Sequence, residues 1–91
     1  MPKEPLVFLK PPSSVIASGD AIELPPQSKQ VEHEGEIGVV IGKTLRRVSP
    51  QQAAAGIRAI VAVNDVTARD LQRADSQWTR AKGFDTFCPI G

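Results

Sequence analysis

The sequence predicts an α+β domain, mostly β, with a few short helices. Three observations predict it. Short runs of apolar and β-branched residues recur between proline- and glycine-containing stops. Only two stretches carry helix-start chemistry. At 91 residues the chain has room for at most one small domain with a modest core.

The elements follow in order. Leu6-Val7-Phe8-Leu9 is a strand candidate, ended by Pro11-Pro12 because proline lacks the ladder donor. Val15-Ile16 is a brief extended piece, and Ser18-Gly19-Asp20 has turn chemistry. Ala21-Ile22-Glu23-Leu24 is a second short strand, stopped by Pro25-Pro26. A polar connection, 27–30, leads into a longer strand from Val31 to Ile41, turned by Gly42-Lys43.

Ser49-Pro50-Gln51-Gln52 starts a helix. Ser49 caps, Pro50 suits the first helical position and Gln52 completes a capping box. Gly56 stops it. Ile57 to Val63 is apolar almost throughout and rich in β-branched residues, as expected of a strand buried on both faces. Asn64-Asp65 ends that strand. Thr67 is placed to cap a second helix, with Asp70 at the capping-box distance. Trp78 to Gly91 has no clear assignment, although Trp78, Phe84 and Phe87 are core candidates.

Composition excludes several classes. The hydrophobic share of 41% and charged share of 23% fit a globular protein rather than a disordered one. The net charge of +1 points to neither nucleic acid nor an anionic membrane. No apolar run is long enough to span a bilayer. The single cysteine, Cys88, cannot form an internal disulfide. The expectation is a soluble cytoplasmic protein.

The most informative segment is the strand Val31 to Ile41. Alternate strand residues share a face, so Glu32, Glu34 and Glu36 lie together opposite Val31, His33, Ile37, Val39 and Ile41. The Cα atoms of Glu34 and Glu36 would be roughly 6–7 Å apart. Carboxylates so spaced can lean onto one hard cation: magnesium, manganese or calcium. Asp65, at the end of the next strand, adds a third carboxylate if the two strands are neighbours. The competing reading is a solvated acidic face, because Glu-x-Glu alone is a weak motif. Arg69 and Gln72 share a helix face just beyond Asp65 and can overhang the same cleft. Lys82 can meet a substrate carboxylate or an enolate-like charge. For each, an ordinary surface position is the common alternative. Alternation turns His33 away from the glutamates. Cys88 reads as a buried thiol. Lys10 and Ser13 fit either an anion contact or a strand-ending turn.

Four segments, in order, resemble the fumarylacetoacetate hydrolase family. They are Phe8-Leu9-Lys10-Pro11-Pro12-Ser13-Ser14, His33 to Lys43 (His-Glu-Gly-Glu-Ile-Gly at its start), Asn64-Asp65-Val66-Thr67-Ala68-Arg69-Asp70-Leu71-Gln72, and Ala81 to Gly91. Together they cover nearly the whole chain. The resemblance implies a mixed β-roll with peripheral helices, usually dimeric. It implies Glu34, Glu36 and Asp65 as metal ligands for magnesium, manganese or calcium. It implies that Arg69 and Gln72 face the substrate, and that Lys82 binds it and acts catalytically by stabilising a developing oxyanion. Its members cleave acylpyruvates and related diketo acids, decarboxylate oxo acids or isomerise hydroxy-dienedioates. A homodimer and a small 2-oxo acid substrate are thus expected.

The chain also departs from the family pattern. Many members carry a histidine and a glutamate on a lid upstream of the Phe-Leu-Lys-Pro segment, where only Met1 to Val7 stand here. The downstream half of the roll is not seen after Gly91. Residues 1–91 are therefore expected to be part of a catalytic domain. Two functional readings follow, a metal-dependent enzyme segment and a truncated metal-binding fragment without turnover. A third, a non-catalytic β-domain with a solvated acidic strand, fits the pattern less well.

Overall fold

The computed structural model describes residues 3–91. Its elements are β1 (Val15–Ala17), β2 (Val31–Glu32), β3 (Gly35–Ile41), α1 (Pro50–Ala55), β4 (Ile57–Asn64), β5 (Thr67–Ala68), α2 (Arg69–Ala74), α3 (Thr79–Gly83) and β6 (Cys88–Ile90). A mixed four-stranded sheet has the order β1-β6-β4-β3, and β2 pairs with β5 in a separate antiparallel ribbon. β1 runs parallel to β6, whereas β4 is antiparallel to both β6 and β3. The α+β class with short helices is as expected from the sequence.

Local chemistry accounts for several elements. Gly19 adopts φ +92° in the turn after β1, where Asp20 Oδ2 accepts from the Ala17 N–H at 2.9 Å. The α1 capping box is complete: Ser49 Oγ accepts from Gln52 N–H, and Gln52 Oε1 accepts from Ser49 N–H. The helix stops at Gly56, as anticipated.

Other expectations are corrected. Neither Leu6–Leu9 nor Ala21–Leu24 forms a strand. The first segment leads into Lys10, which reaches Asp65, and in the second the Glu23 N–H donates to Thr86 Oγ1. The strand from Val31 to Ile41 is interrupted at His33-Glu34, because its two parts pair with different partners. Thr67 does not cap α2. It lies in β5 with its hydroxyl donating to the Asp65 carbonyl, and Ala68 takes the cap position without a side-chain bond. β4 is not buried on both faces. Ile60 is 62% exposed, and its cross-strand partner Val39 is 49% exposed. No part of residues 3–91 covers the face formed by Ile37, Val39, Ile41 and Ile60, although its apolar character is that of a surface meant to be packed.

The core sits elsewhere. Val66, Ala68, Leu71, Ala81 and Phe87 are buried together under β5, α2 and α3, with Val31 and Phe84 packed against them. Phe84 and Phe87 meet edge to face with centroids 5.3 Å apart. This cluster holds the β4–β5 corner firmly, and that corner carries Asp65.

The connection 27–30 is strapped onto α2 by Asp70. Its carboxylate accepts from Ser28 Oγ at 2.5 Å and from the Lys29 N–H at 2.9 Å. The Ser28 hydrogen bond, then that from Lys29, holds the Asp70 carboxyl below the ordinary aspartate range. A folded value below the unfolded one means the contribution is complete above the unfolded value and is lost as pH falls through the folded one. Acidification across that range is expected to lower the protection factor of the Lys29 amide, its exchange rate being compared with the intrinsic rate at each pH. Asp70→Asn should remove that pH dependence, and an unchanged profile would contradict the strap.

Candidate metal centre

The antiparallel register of β3 and β4 assembles the site. Gly35 pairs with Asn64, and the next step of the same register sets Glu34 opposite Asp65. Two bonds fix that step: the Asp65 N–H donates to the Glu34 carbonyl at 2.9 Å, and the Glu34 N–H donates to Asn64 Oδ1 at 3.0 Å. Directly opposed residues are close neighbours, and Glu36 is the diagonal neighbour of Asp65 on the same face. One carboxylate oxygen from each of Glu34, Glu36 and Asp65 lies within 4.8 Å of the others. Glu32, beyond the strand break, is outside this group and pairs with Arg69 instead.

Three cations surround the carboxylates. Lys10 Nζ donates to Asp65 Oδ1 at 2.6 Å, and Lys82 Nζ donates to Asp65 Oδ2 at 2.8 Å. Lys82 also donates to Thr67 Oγ1 at 2.9 Å and lies 3.4 Å from Glu34 Oε1. Arg69 Nη1 is 2.8 Å from Glu34 Oε2, and its Nε donates to Glu32 Oε1 at 2.9 Å. Gln72 Oε1 accepts from Arg69 Nη1 at 2.7 Å, so the residue three positions along α2 steadies the guanidinium. The floor of the site, Asp65, Thr67 and Lys82, is buried. Glu36 is exposed, and Glu34 and Arg69 are half-buried, so the site opens on their side.

The electrostatics distinguish the three acids. Burial alone pushes the Asp65 carboxyl up, but the hydrogen bonds from Lys10 and Lys82 outweigh it and hold Asp65 below its ordinary value. Glu36 moves the other way: desolvation raises it, and the neighbouring Asp65 and Glu34 carboxylates raise it further. Among the described residues no lysine or arginine pairs with Glu36. A carboxylate facing two others without a cation partner fits a divalent ion, and the all-oxygen donor set fits a hard one.

All six residues singled out from the sequence, Glu34, Glu36, Asp65, Arg69, Gln72 and Lys82, fall in or beside this cluster. Lys10, whose sequence context fits either a turn or an anion contact, reaches Asp65 in the structure. A fold-independent signal for it did not exist, because its partner lies 55 residues away. Trp78, expected in the core, packs edge to face on Phe8 beside Lys82. His33 is exposed. Burial pushes the Cys88 thiol up, away from a reactive thiolate. Ser13 is exposed, and it is the adjacent Ser14 that is buried.

A mixed sheet whose strand ends bring three carboxylates together, ringed by two lysines and an arginine, defines a candidate cation centre. The chain belongs to the fumarylacetoacetate hydrolase family, whose C-terminal-region model matches residues 1–91. It is 50% identical over 91 residues to an uncharacterised protein of Methanocaldococcus jannaschii, spanning all of this chain and 38% of that protein. It is 44% identical over 93 residues to a human mitochondrial oxaloacetate tautomerase, spanning all of this chain and 30% of that protein. The structure of a 5-carboxymethyl-2-hydroxymuconate delta-isomerase from Mycobacterium smegmatis superposes with a TM-score of 0.93 at 48% identity, over 99% of this chain and 36% of that one. The chain thus spans well under half the length of these relatives. No helix among the described residues is long and apolar enough to cross a membrane.

Proposed function

We propose that this chain supplies the cation-binding and anion-binding part of an enzyme acting on small 2-oxo acids, such as acylpyruvates or hydroxy-dienedioates. The observation that carries the reading is the convergence of Glu34, Glu36 and Asp65 within 4.8 Å, with Lys82 bonded to two members of the group. Glu34, Glu36 and Asp65 hold magnesium, manganese or calcium. The bound cation supplies Lewis-acid polarisation of the substrate's oxygens. Arg69, aimed by Gln72, offers a planar donor to a substrate carboxylate. Lys82 is the catalytic cation: its ammonium donates to the oxygen that gains negative charge. Burial of Lys82 strengthens that interaction, because few waters compete for it. Hydrolysis, isomerisation, decarboxylation and tautomerisation of such acids share this need. The relatives' names, tautomerase and isomerase, support the class.

A second reading has its own support. The chain spans 30–38% of two curated relatives, and the Ile37–Ile60 face is exposed. On that reading the 91 residues bind the cation but do not turn over substrate.

Calorimetric titration with magnesium, followed by an absorbance assay on an acylpyruvate, separates these outcomes. Saturable binding lost in Glu36→Ala supports the centre, and absence of binding to the wild-type chain refutes it. Turnover favours the enzyme reading, and binding without turnover favours the fragment.

A further inference from the structure

We infer that Phe8 and Trp78 are positioning residues for Lys82, an aromatic brace that holds its ammonium against the Glu34–Asp65 side of the carboxylate cluster. The inference rests on the reading of Lys82 as the anion-stabilising cation and deepens it. Lys82 Nζ lies 4.7 Å from the centroid of the Phe8 ring and 5.8 Å from that of Trp78. The two rings meet edge to face, with centroids 5.6 Å apart and planes at 70°. Asp65, Thr67 and Glu34 occupy the ammonium's donors on one side. The rings close the other, attracting the charge and keeping water away from it.

Both rings are placed by contacts that converge on Lys82. The Trp78 carbonyl accepts the Lys82 N–H at 3.0 Å in the first turn of α3, and residues four apart on a helix share a face. Phe8 arrives on the extended segment before β1, which has no ladder partner. Two residues further on, Lys10 grips Asp65 Oδ1 and the Val66 carbonyl, at 2.6 and 3.2 Å. Pro11 then packs so closely on Gly83 that an added Cβ there would lie 3.1 Å from Pro11 Cδ. In an extended segment residues two apart face the same way, so the Lys10 anchor also aims Phe8.

General hydrophobic burial does not explain this arrangement. Leu6, Val7 and Leu9 are 68%, 87% and 81% exposed, whereas Phe8 is 38% exposed. Phe8 is the least exposed of that run, and what it meets is the Lys82 ammonium and the Trp78 ring. A lysine has a long flexible stem that loses rotamer freedom when fixed. A brace that restricts the stem in advance leaves the ammonium in place before any charge develops.

Reductive methylation with formaldehyde and cyanoborohydride, quantified at each lysine by peptide mass spectrometry, tests the brace without reference to turnover. Phe8→Leu and Trp78→Leu are expected to raise the labelling rate of Lys82 about tenfold, whereas Phe8→Tyr, which keeps a ring, leaves it within twofold of wild type. In Trp78→Leu the rate at Lys10 stays unchanged. A Lys82 rate unaltered in both leucine variants overturns the inference, and so does an equal rise at Lys10 and Lys82 in Trp78→Leu, which marks general loosening. If the wild-type chain turns over oxaloacetate, the leucine variants should lower kcat about tenfold with KM changed less than twofold, and Phe8→Tyr should restore it. An unchanged kcat with Lys82 labelled overturns the positioning role. A wild-type chain without turnover bears only on the proposed function, and the labelling result still decides the brace.

Discussion

Asp65→Ala is expected to abolish magnesium binding and to destabilise the fold by about 3–5 kcal/mol, the cost of breaking a buried ion pair from one side. Both effects follow from one position. Asp65 is 3% exposed and accepts from two lysines, one on each carboxylate oxygen. Its removal leaves the Lys82 ammonium buried with Thr67 and a longer contact to Glu34. It also removes the one carboxylate contributed by the β4 end. Calorimetry with magnesium reads the first effect and urea unfolding the second. Glu34→Ala should lose binding as well, with a smaller stability cost, because Glu34 is half-buried and Arg69 keeps Glu32 as a partner. Unchanged magnesium affinity in both variants would falsify the ligand assignment.

Lys82→Met is expected to act with opposite signs on two measurements. Methionine keeps most of the apolar stem and removes the charge. Turnover of a 2-oxo acid should fall by about 10²–10³-fold, the scale for losing one preorganised donor at a developing oxyanion. Magnesium affinity should instead rise, by roughly tenfold, because a positive charge in contact with two of the carboxylates opposes a second cation there. Asp65 retains Lys10, so the fold survives the change. A fall in both quantities would show that Lys82 mainly holds the carboxylates in place, and would count against its proposed role toward substrate.

These effects depend on features of unequal legibility. The capping box at Ser49 and Gln52 was readable because its partners lie three residues apart. Glu34 and Glu36 were readable as a pair for the same reason, being alternate residues of one strand. Asp65 could be attached to them only through the condition that two strands be neighbours, and the β3–β4 register satisfies it. Thr67 misled because its local spacing to Asp70 matched a cap, while a more buried demand, the Lys82 ammonium and the Asp65 carbonyl, took its hydroxyl. β4 misled in a different way. A continuous apolar run is the pattern of two-sided burial, but among residues 3–91 no β4 residue is fully buried, and alternate positions are only partly covered.

By itself, the sequence determined the α+β class, the α1 cap, the turn at Gly19 and the identity of the acids and cations that carry the chemistry. Those are consequences of backbone preference and short-range spacing, which a linear string contains. Only the tertiary structure decided that Glu34 stands opposite Asp65, that Lys10 and Lys82 grip that carboxylate from both sides, and that Phe8 and Trp78 turn onto Lys82. Except for Trp78 and Lys82, neighbours on α3, these depend on groups far apart in the chain, 55 residues for Lys10 and Asp65 and more for Phe8 and Lys82. Such pairings are set by register and by what the small core under β5, α2 and α3 holds rigid, and neither has a local period. The acidic strand segment is visible in the sequence, but the centre it contributes to exists only where two strands and the unladdered segment carrying Lys10 meet.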